Sequence, residues 1–262
     1  MFFIILTIIL AALFSILLNL IPLSNWFLFL WIPSGILLSL ICVISFIVLF
    51  IRLNTKTSYT GKLKHHFLHQ LTQLICIVTN IRVKTIGKEN IPDETCVFYG
   101  NHKSNIDPVL TYYAMGKVCS AVGKSTLFTN PFMIWLKDCF GAISLDRNND
   151  REAAKAMVQA IKHVNMGLSM IIYPEGGIKT RETELCVDVK PGAYKLATKP
   201  GVPIVPVTIL NSHTICTKPL FKKHHVTIVF HKPIYKEEYQ ALNTIELGNL
   251  VEGVINSAVT NR

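Results

Sequence analysis

The sequence predicts an α/β fold preceded by an apolar N-terminal membrane element, and two observations predict it. From about residue 82 onwards, short β-rich runs alternate with segments of helical periodicity, which is the pattern of a layered sheet covered by helices. Residues 1–51 contain no charged side chain, so the rest of the 262-residue chain carries the whole net charge of +10. This composition excludes disordered, collagen-like and disulfide-scaffold proteins.

The N-terminal segment contains two apolar stretches, residues 2–21 and 26–51, separated by a short break at 22–25. Each stretch is long enough to cross a hydrocarbon core of about 30 Å. No basic residue precedes them and the apolar run continues well past any plausible cleavage site, so a secretory signal peptide is a poor fit. A spanning hairpin and a hairpin that dips into one leaflet both fit, and Pro33 and Gly35 make the second plausible.

The residues after the apolar segment indicate its orientation. The basic residues there have no acid among them and are Arg52, Lys56, Lys62 and Lys64. The positive-inside rule therefore places the rest of the chain in the cytoplasm. We expect the protein at the cell membrane, with its main domain on the cytoplasmic face.

Residues 62–79 predict an amphipathic helix beside the membrane. Its apolar stripe comprises Phe67, Leu71, Leu74 and Val78. The polar face that we expect to be exposed to solvent comprises Lys62, Lys64, His65 and His69. Although the histidines are close together, no carboxylate or cysteine joins them, so a basic helix near anionic headgroups is favoured over a metal site. We thus predict three parts: a membrane hairpin at 1–51, an interfacial linker helix at 52–81 and an α/β domain at 82–262.

The α/β domain contains seven predicted strands, at 82–86, 96–100, 119–123, 142–145, 169–173, 204–209 and 226–230. Predicted helices lie at 108–115, 125–139, 150–164, 192–198 and 245–259. The third of these helices is the clearest, because Asn149 and Glu152 form a capping-box-like start. The chain's seven cysteines include no C-x-x-C pair, which indicates reduced core thiols and no zinc site.

The first candidate site is the segment 101–107, with the sequence N-H-K-S-N-I-D, which follows an apolar strand and leads into a helix. His102 and Asp107, five residues apart across a turn, can hydrogen-bond, so the carboxylate can fix the imidazole tautomer. Such a base can remove the proton of a hydroxyl that attacks a carbonyl. Asp107 also precedes Pro108, however, so a purely structural helix start is the competing interpretation.

Two further segments each follow a strand. In residues 143–147, Arg147 is either a solvated turn residue or a bidentate phosphate ligand. In residues 171–181, the glycines at 176 and 177 could let the backbone approach a polar headgroup. There Glu175 would accept hydroxyl groups, and Lys179 or Arg181 would meet phosphate. The competing interpretation is a surface turn, and the order of residues excludes a Walker A loop.

A fourth segment, residues 201–208, carries Pro203 and Pro206 in a β run. Because proline cannot donate a ladder hydrogen bond, this segment predicts an edge strand or a strand start.

Together the four segments resemble the glycerolipid acyltransferases, specifically the bacterial 1-acyl-glycerol-3-phosphate acyltransferases. Residues 101–107 match the N-H-x-S-x-x-D motif, and residues 143–147, 173–176 and 202–207 match the other three blocks in the family's order. The resemblance implies a mixed-sheet α/β sandwich seated on a membrane by an N-terminal helical element. The third block departs from the family's E-G-T-R, since Ile178 occupies the usual place of the arginine.

The resemblance also implies an activity. A fatty acyl group would pass from acyl-carrier protein or acyl-CoA to the 2-hydroxyl of lysophosphatidic acid, giving phosphatidic acid. His102 would be the base and Asp107 its orienter. The implied glycerol-phosphate site comprises Lys124, Arg147, Glu175 and Gly176. The role of the missing arginine would pass to Lys179, Arg181 or Lys124, or Arg147 would hold most of the phosphate. No metal or redox cofactor is required, since attack on a thioester needs a base and a stabilised oxyanion.

Alternatives to this interpretation remain at the sequence level. A related acyltransferase could act on glycerol 3-phosphate or another lysophospholipid, and a non-catalytic lipid-binding module could keep the fold. The intact His102 and Asp107 pair argues against the second. The net charge of +10 fits an anionic phospholipid and an acidic carrier protein, and although charge alone would also fit nucleic acid, we predict no nucleic-acid partner.

Overall fold

The computed structural model describes residues 1–19, 28–146, 148–217, 219 and 222–260. The predicted break at 22–25 and the candidate Arg147 lie outside these residues. The strands are β1 Ile81–Ile86, β2 Val97–Gly100, β3 Cys119–Lys124, β4 Ile143–Leu145, β5 Ser169–Ile172, β6 Ile204–Leu210 and β7 His224–Phe230. Each of the seven predicted strands is present, with ends that differ by one or two residues.

The longer helices are α1 Phe2–Asn19, α2 Leu28–Leu53, α3 Lys62–Val78, α4 Asp107–Met115, α5 Pro131–Phe140 and α6 Asp150–Asn165. The later helices are α7 Lys195–Thr198, α8 Thr214–Thr217, α9 Lys236–Tyr239 and α10 Thr244–Thr260. The predicted helix at 125–139 is wrong in its first part: Ser125–Leu127 forms a 3-10 turn. A new helix then begins at Pro131, because the side chain of Asn130 accepts a hydrogen bond from the Met133 N–H and proline suits the first helical turn.

The strands form one mixed sheet in the order β1-β7-β6-β2-β5-β3-β4. Strands β6, β2, β5, β3 and β4 run parallel to one another, while β7 is antiparallel to β6 and β1 is parallel to β7. The carboxyl ends of β2, β3, β4 and β5 therefore meet at one edge of the sheet. This arrangement confirms the mixed-sheet α/β architecture.

The prediction that the proline-containing segment is an edge strand is wrong, because β6 lies between β7 and β2 and is buried throughout. The alternative of a strand start fits Pro203, since β6 begins at the next residue, Ile204. Its pairing with β7 begins at Val207, one residue after Pro206. Pro206 therefore occupies an interior strand just outside the antiparallel ladder, and its carbonyl still accepts a hydrogen bond from the His231 N–H.

Two apolar layers cover the two faces of the sheet. The first face packs against α6, α7 and α10, through buried residues such as Ala160, Leu196 and Val251. The second face packs against α4 and the C-terminal end of α3, through residues such as Leu110 and Cys76. Each layer removes apolar surface from water, which is the main favourable contribution to folding.

A third apolar cluster joins the N-terminal helices to the domain. It brings together Phe3 of α1, Ile51 of α2, Phe67 of α3 and Phe140 of α5. Helices α1 and α2 also approach closely at Gly35, where a Cβ atom would lie 2.9 Å from the carbonyl oxygen of Ala11. Among the described helices, Ile32–Leu53 is long and apolar enough to cross a membrane, and Phe2–Leu18 is a shorter apolar helix. The apolar N-terminal helix favours membrane association.

The prediction of a solvent-exposed polar face on α3 is wrong for two residues, since Lys64 and His65 are buried. The Lys64 ammonium donates hydrogen bonds to the carbonyl oxygens of Asn54 and Thr57 at 3.0 and 3.2 Å. The His65 ring lies between the hydroxyl of Tyr112, at 2.8 Å from Nδ1, and the carbonyl of Tyr59, at 2.7 Å from Nε2. The contact with Tyr112 connects α3 to α4, the helix that begins at Asp107, and the other contacts connect α3 to the segment that follows α2.

Candidate active site

The turn after β2 holds His102 and Asp107 together, as its sequence predicts. His102 Nδ1 lies 3.0 Å from Asp107 Oδ2, and the two side chains are 13% and 0% exposed. The same carboxylate oxygen accepts the backbone N–H groups of Lys103 and Ser104, each at 2.8 Å. The Asp107 carboxylate therefore orients the His102 ring and closes the turn. Its N–H partners precede α4, so Asp107 is the first residue of that helix but does not act as its N-cap.

The His102 ring is also held from the neighbouring strand. It stacks on the ring of Tyr173, which directly follows β5, with centroids 4.4 Å apart and an interplanar angle of 18°. The Tyr173 hydroxyl lies 3.4 Å from the Thr111 hydroxyl on α4. Burial and the nearby Asp107 raise the pKa of Tyr173 well above its usual value, so the phenol is neutral. The sequence reasoning missed Tyr173, although its position before Pro174 and Glu175 placed it at this edge.

Glu175 lies at the same edge, but its carboxylate is fully buried. Oε1 accepts the backbone N–H of His102 at 2.8 Å, and Oε2 lies 3.2 Å from the ammonium of Lys103, which is 1% exposed. Burial raises the pKa of Glu175, and the hydrogen bond from His102 and the charge of Lys103 oppose that rise. Both oxygens of Glu175 thus contact the turn that carries His102.

Lys103 was not among the predicted site residues. A lysine between His102 and Ser104 suggests a solvated side chain. Its buried partner, Glu175, comes within reach only because β5 pairs with β2. Asn101 is another missed residue. Its side chain exchanges hydrogen bonds with the backbone of Ile209 at 2.7 and 2.9 Å and also donates to the carbonyl of Glu184. These contacts join the turn to β6.

The basic candidates that the structure describes, Lys124, Lys179 and Arg181, are exposed, unlike the buried Asp107 and Glu175. Lys124 is the exposed last residue of β3, and it pairs in register with Leu145 of β4, two residues before Arg147. Arg181 is exposed, and its Nε donates to the carbonyl oxygen of Lys103 at 3.2 Å. Lys179 instead faces Asp188 at 4.0 Å. Of the two bases after Glu175, Arg181 is thus the one that contacts the His102 turn.

Gly176 forms the bend of this loop with a left-handed φ of 71°. A Cβ atom at this position would lie 2.9 Å from Lys190 Cε, so glycine suits both the conformation and the close packing. Beside the loop, a cavity of about 460 Å³ opens between α6 and the 3-10 turn Pro191–Tyr194. Its walls include the apolar side chains of Val122, Met157, Ile161 and Ile172.

Known proteins are similar in sequence to the part of the chain that contains His102, Asp107 and Glu175. The Acyltransferase family matches residues 82–210. A 1-acyl-sn-glycerol-3-phosphate acyltransferase of Haemophilus influenzae is 32% identical over 175 residues, which cover 66% of this chain and 70% of that protein. A chloroplast 1-acyl-sn-glycerol-3-phosphate acyltransferase of Brassica napus is 30% identical over 176 residues, which cover 65% of this chain. The chain spans about half the length of the chloroplast relatives.

A solved structure has the same fold. The crystal structure of the 1-acyl-sn-glycerophosphate acyltransferase PlsC from Thermotoga maritima matches with a TM-score of 0.65 and 22% identity. The match covers 82% of this chain and 89% of the other. Since 82% of the chain is matched, the similarity extends beyond residues 82–210.

Proposed function

Because this chain belongs to the 1-acyl-sn-glycerol-3-phosphate acyltransferase family, we propose that it transfers a fatty acyl group from a thioester to the 2-hydroxyl of 1-acyl-glycerol 3-phosphate. The product is phosphatidic acid. The observation that carries the proposal is the contact of 3.0 Å between His102 Nδ1 and the buried Asp107 carboxylate. The pair has the geometry of a base and its orienter.

In this mechanism the acceptor hydroxyl meets Nε2 of His102, since Nδ1 faces Asp107. The imidazole takes the proton while the hydroxyl oxygen attacks the thioester carbonyl. When the tetrahedral intermediate collapses, the carbon–sulfur bond breaks and the imidazolium returns the proton to the departing thiolate. The substrate supplies the attacking oxygen, so no serine or cysteine of the enzyme is acylated and no metal or redox cofactor takes part.

We assign Glu175 to positioning His102 rather than to binding the acceptor. Its two oxygens already contact the His102 backbone and Lys103, and the side chain is buried. The acceptor phosphate would instead meet the exposed cations Lys124 and Arg181, together with Arg147, which the sequence places two residues after β4. Of these, Arg181 is supported by its bond to the Lys103 carbonyl, which fixes the guanidinium beside the His102 turn.

The substrates would approach from different sides. The acceptor is a membrane lipid, and the helices α1 and α2 and the linker helix α3 would hold the domain 82–262 at the cytoplasmic membrane face. The acyl chain of the donor, whether acyl-CoA or acyl-carrier protein, would enter the apolar cavity beside Gly176. The lining of that cavity by Met157, Ile161 and Ile172 supports this assignment.

Product analysis tests the proposal. Purified protein in detergent is given a labelled acyl donor and a panel of acceptors that includes lysophosphatidic acid, glycerol 3-phosphate and a lysophospholipid without a phosphomonoester. We expect label in phosphatidic acid, at the 2-position. Label in another acylated product would favour a related acceptor, and the absence of any acylated product would overturn the enzyme assignment.

A further inference from the structure

The mouth of the apolar cavity carries a cluster of lysines that the reaction described above does not use. Lys190, Lys195 and Lys199 all line this cavity, and all three are exposed. None of them forms an ion pair with an acidic residue in the part of the chain that the structure describes. Asp150 is the single carboxylate among the residues that line the cavity. The rim is therefore basic while the wall is apolar.

The arrangement of these lysines is unfavourable without a ligand. Lys195 begins α7 and Lys199 follows four residues later, so the two ammonium groups repel each other across one helical turn. Lys190 lies at the start of the 3-10 turn that leads into α7. A bound anion would remove the repulsion among the three charges, and an ammonium group is a common ligand for phosphate.

Lys190 also connects the rim to the loop of the active site. Its backbone N–H donates to the carbonyl of Pro174 at 2.9 Å. The stem of its side chain packs against Gly176, the residue after the buried Glu175. An anion held by Lys190 would thus lie near the sheet edge that carries His102 and Glu175, at the entrance of the apolar cavity.

The position of the rim in the fold favours a soluble ligand over a lipid headgroup. The cavity is built from α6, α7 and the sheet face that they cover. The N-terminal helices instead join the domain through α3 and α5, and α3 packs with α4 on the opposite face of the sheet. The segment after α2 does contact the cavity-bearing face, at Tyr59 beside His163 in the last turn of α6. The cavity is lined from Asp150 in the first turn of α6, so we infer that a ligand reaches the lysines from the end of α6 away from that contact.

We propose that Lys190, Lys195 and Lys199 bind the phosphate of the phosphopantetheine arm that carries the acyl thioester. This inference rests on the proposed function, because acyl-CoA and acyl-carrier protein both present an alkyl chain, a thioester and then this phosphate. The alkyl chain would fill the apolar cavity, and the phosphate would lie on its basic rim. The site would thus bind the donor through a feature that both donors share.

The test uses the variant Lys195→Glu/Lys199→Glu in the full chain, with Lys162→Glu on the exposed side of α6 as a matched control. Three donors are compared: a long-chain acyl-CoA, the same acyl group on acyl-carrier protein, and the same acyl group on pantetheine without phosphate. We expect the donor KM of the double variant to rise about three- to tenfold for the two phosphate-bearing donors. Its KM for acyl-pantetheine, its KM for lysophosphatidic acid and its melting temperature should match those of Lys162→Glu.

Each other result overturns the assignment. An equal loss with all three donors would show that the lysines do not recognise phosphate, and a loss with acyl-carrier protein alone would show that they contact a protein surface. Weaker co-sedimentation of the double variant with vesicles that contain phosphatidylglycerol would make the rim a membrane contact. If the wild type transfers no acyl group, the proposed function fails separately. A non-hydrolysable thioether analogue of acyl-CoA then still tests the site by direct binding, and equal affinity for the wild type and the double variant would overturn it.

Discussion

The turn that carries His102 and the loop that carries Lys179 and Arg181 lie at the same edge of the sheet, yet they are built differently. The turn is buried, and one oxygen of Asp107 contacts His102 and two backbone N–H groups. The loop cations are exposed, and Arg181 makes one hydrogen bond to the turn. We infer from this difference that the proposed base is held rigidly, while the cations proposed to meet the phosphate can adjust to the substrate.

We expect the largest loss of activity from a substitution in the buried turn, Asp107→Asn. The amide oxygen can still accept the N–H groups of Lys103 and Ser104, so the turn should fold. The same amide oxygen can still accept from His102 Nδ1, but the negative charge that stabilises the imidazolium is lost. We expect kcat to fall about 10²- to 10⁴-fold with a small change in KM.

Asp138→Asn, at a half-exposed position in the last turn of α5, is the matched control for this variant and should keep wild-type activity. Steady-state transfer rates at equal protein concentration would measure both. A loss of less than about fivefold in Asp107→Asn would mean that Asp107 only starts the helix.

The next effect concerns the buried pair of Glu175 and Lys103. In Glu175→Gln the Lys103 ammonium stays buried without its counter-charge, which costs roughly 3–5 kcal/mol when one partner of a buried pair is removed. We expect a lower free energy of unfolding by a large part of that amount, and a reduced kcat because the His102 backbone loses its support. Chemical denaturation and transfer rates would measure the two effects.

Two comparisons sharpen the test of this pair. Glu152→Gln breaks an exposed ion pair with Lys155 and should cost less than about 1 kcal/mol. Lys103→Met/Glu175→Gln removes both charges, so it should recover part of the stability. If Glu175→Gln were as stable as the wild type and raised only the acceptor KM, Glu175 would be a substrate ligand after all.

A smaller effect is expected in the exposed loop. Arg181→Ala should raise the KM for lysophosphatidic acid about tenfold with little change in kcat, since a charge-assisted bond made in both the ground and the transition state is lost. Lys179→Ala serves as the control and should be nearly silent, because Lys179 faces Asp188. Acceptor titrations at saturating donor would decide. A silent Arg181→Ala together with a sensitive Lys179→Ala would reverse the assignment.

The smallest effect concerns the polar junction between α3 and α4. Burial lowers the pKa of His65, so the neutral ring is favoured in the folded protein. The stability that this ring contributes is present above its unfolded pKa of about 6.5 and is lost as the pH falls through the lower folded pKa. We expect His65→Gln to melt with a weaker dependence on pH between about 5 and 7 than the wild type.

The exposed His225→Gln should instead keep the wild-type dependence of the melting temperature. Melting curves at a series of pH values would compare the three proteins. Parallel curves for His65→Gln and the wild type would show that His65 does not titrate with unfolding.

Local patterns were sufficient to predict the strands and the turn of His102 and Asp107, because both depend on residues close together in the chain. Features that depend on distant segments were missed. Lys103 and Glu175 are 72 residues apart, and only the pairing of β2 with β5 brings them together. The burial of Lys64 and His65 depends in part on the distant Tyr112, 47 residues from His65. It also depends on the nearby carbonyl groups of Asn54 and Tyr59, which lie outside the helix and which helical periodicity therefore cannot reveal.

The measurement that tests the central claim most directly is the rate of labelled acyl transfer to lysophosphatidic acid by the wild type and by His102→Ala at matched protein levels. We predict a loss of at least about 10²-fold in the variant, with unchanged expression and membrane association, because removing a general base costs that much. Addition of free imidazole should restore part of the rate, since the substitution leaves space against the Tyr173 ring. Activity above about a tenth of the wild-type rate without imidazole would contradict the assignment of His102 as the base.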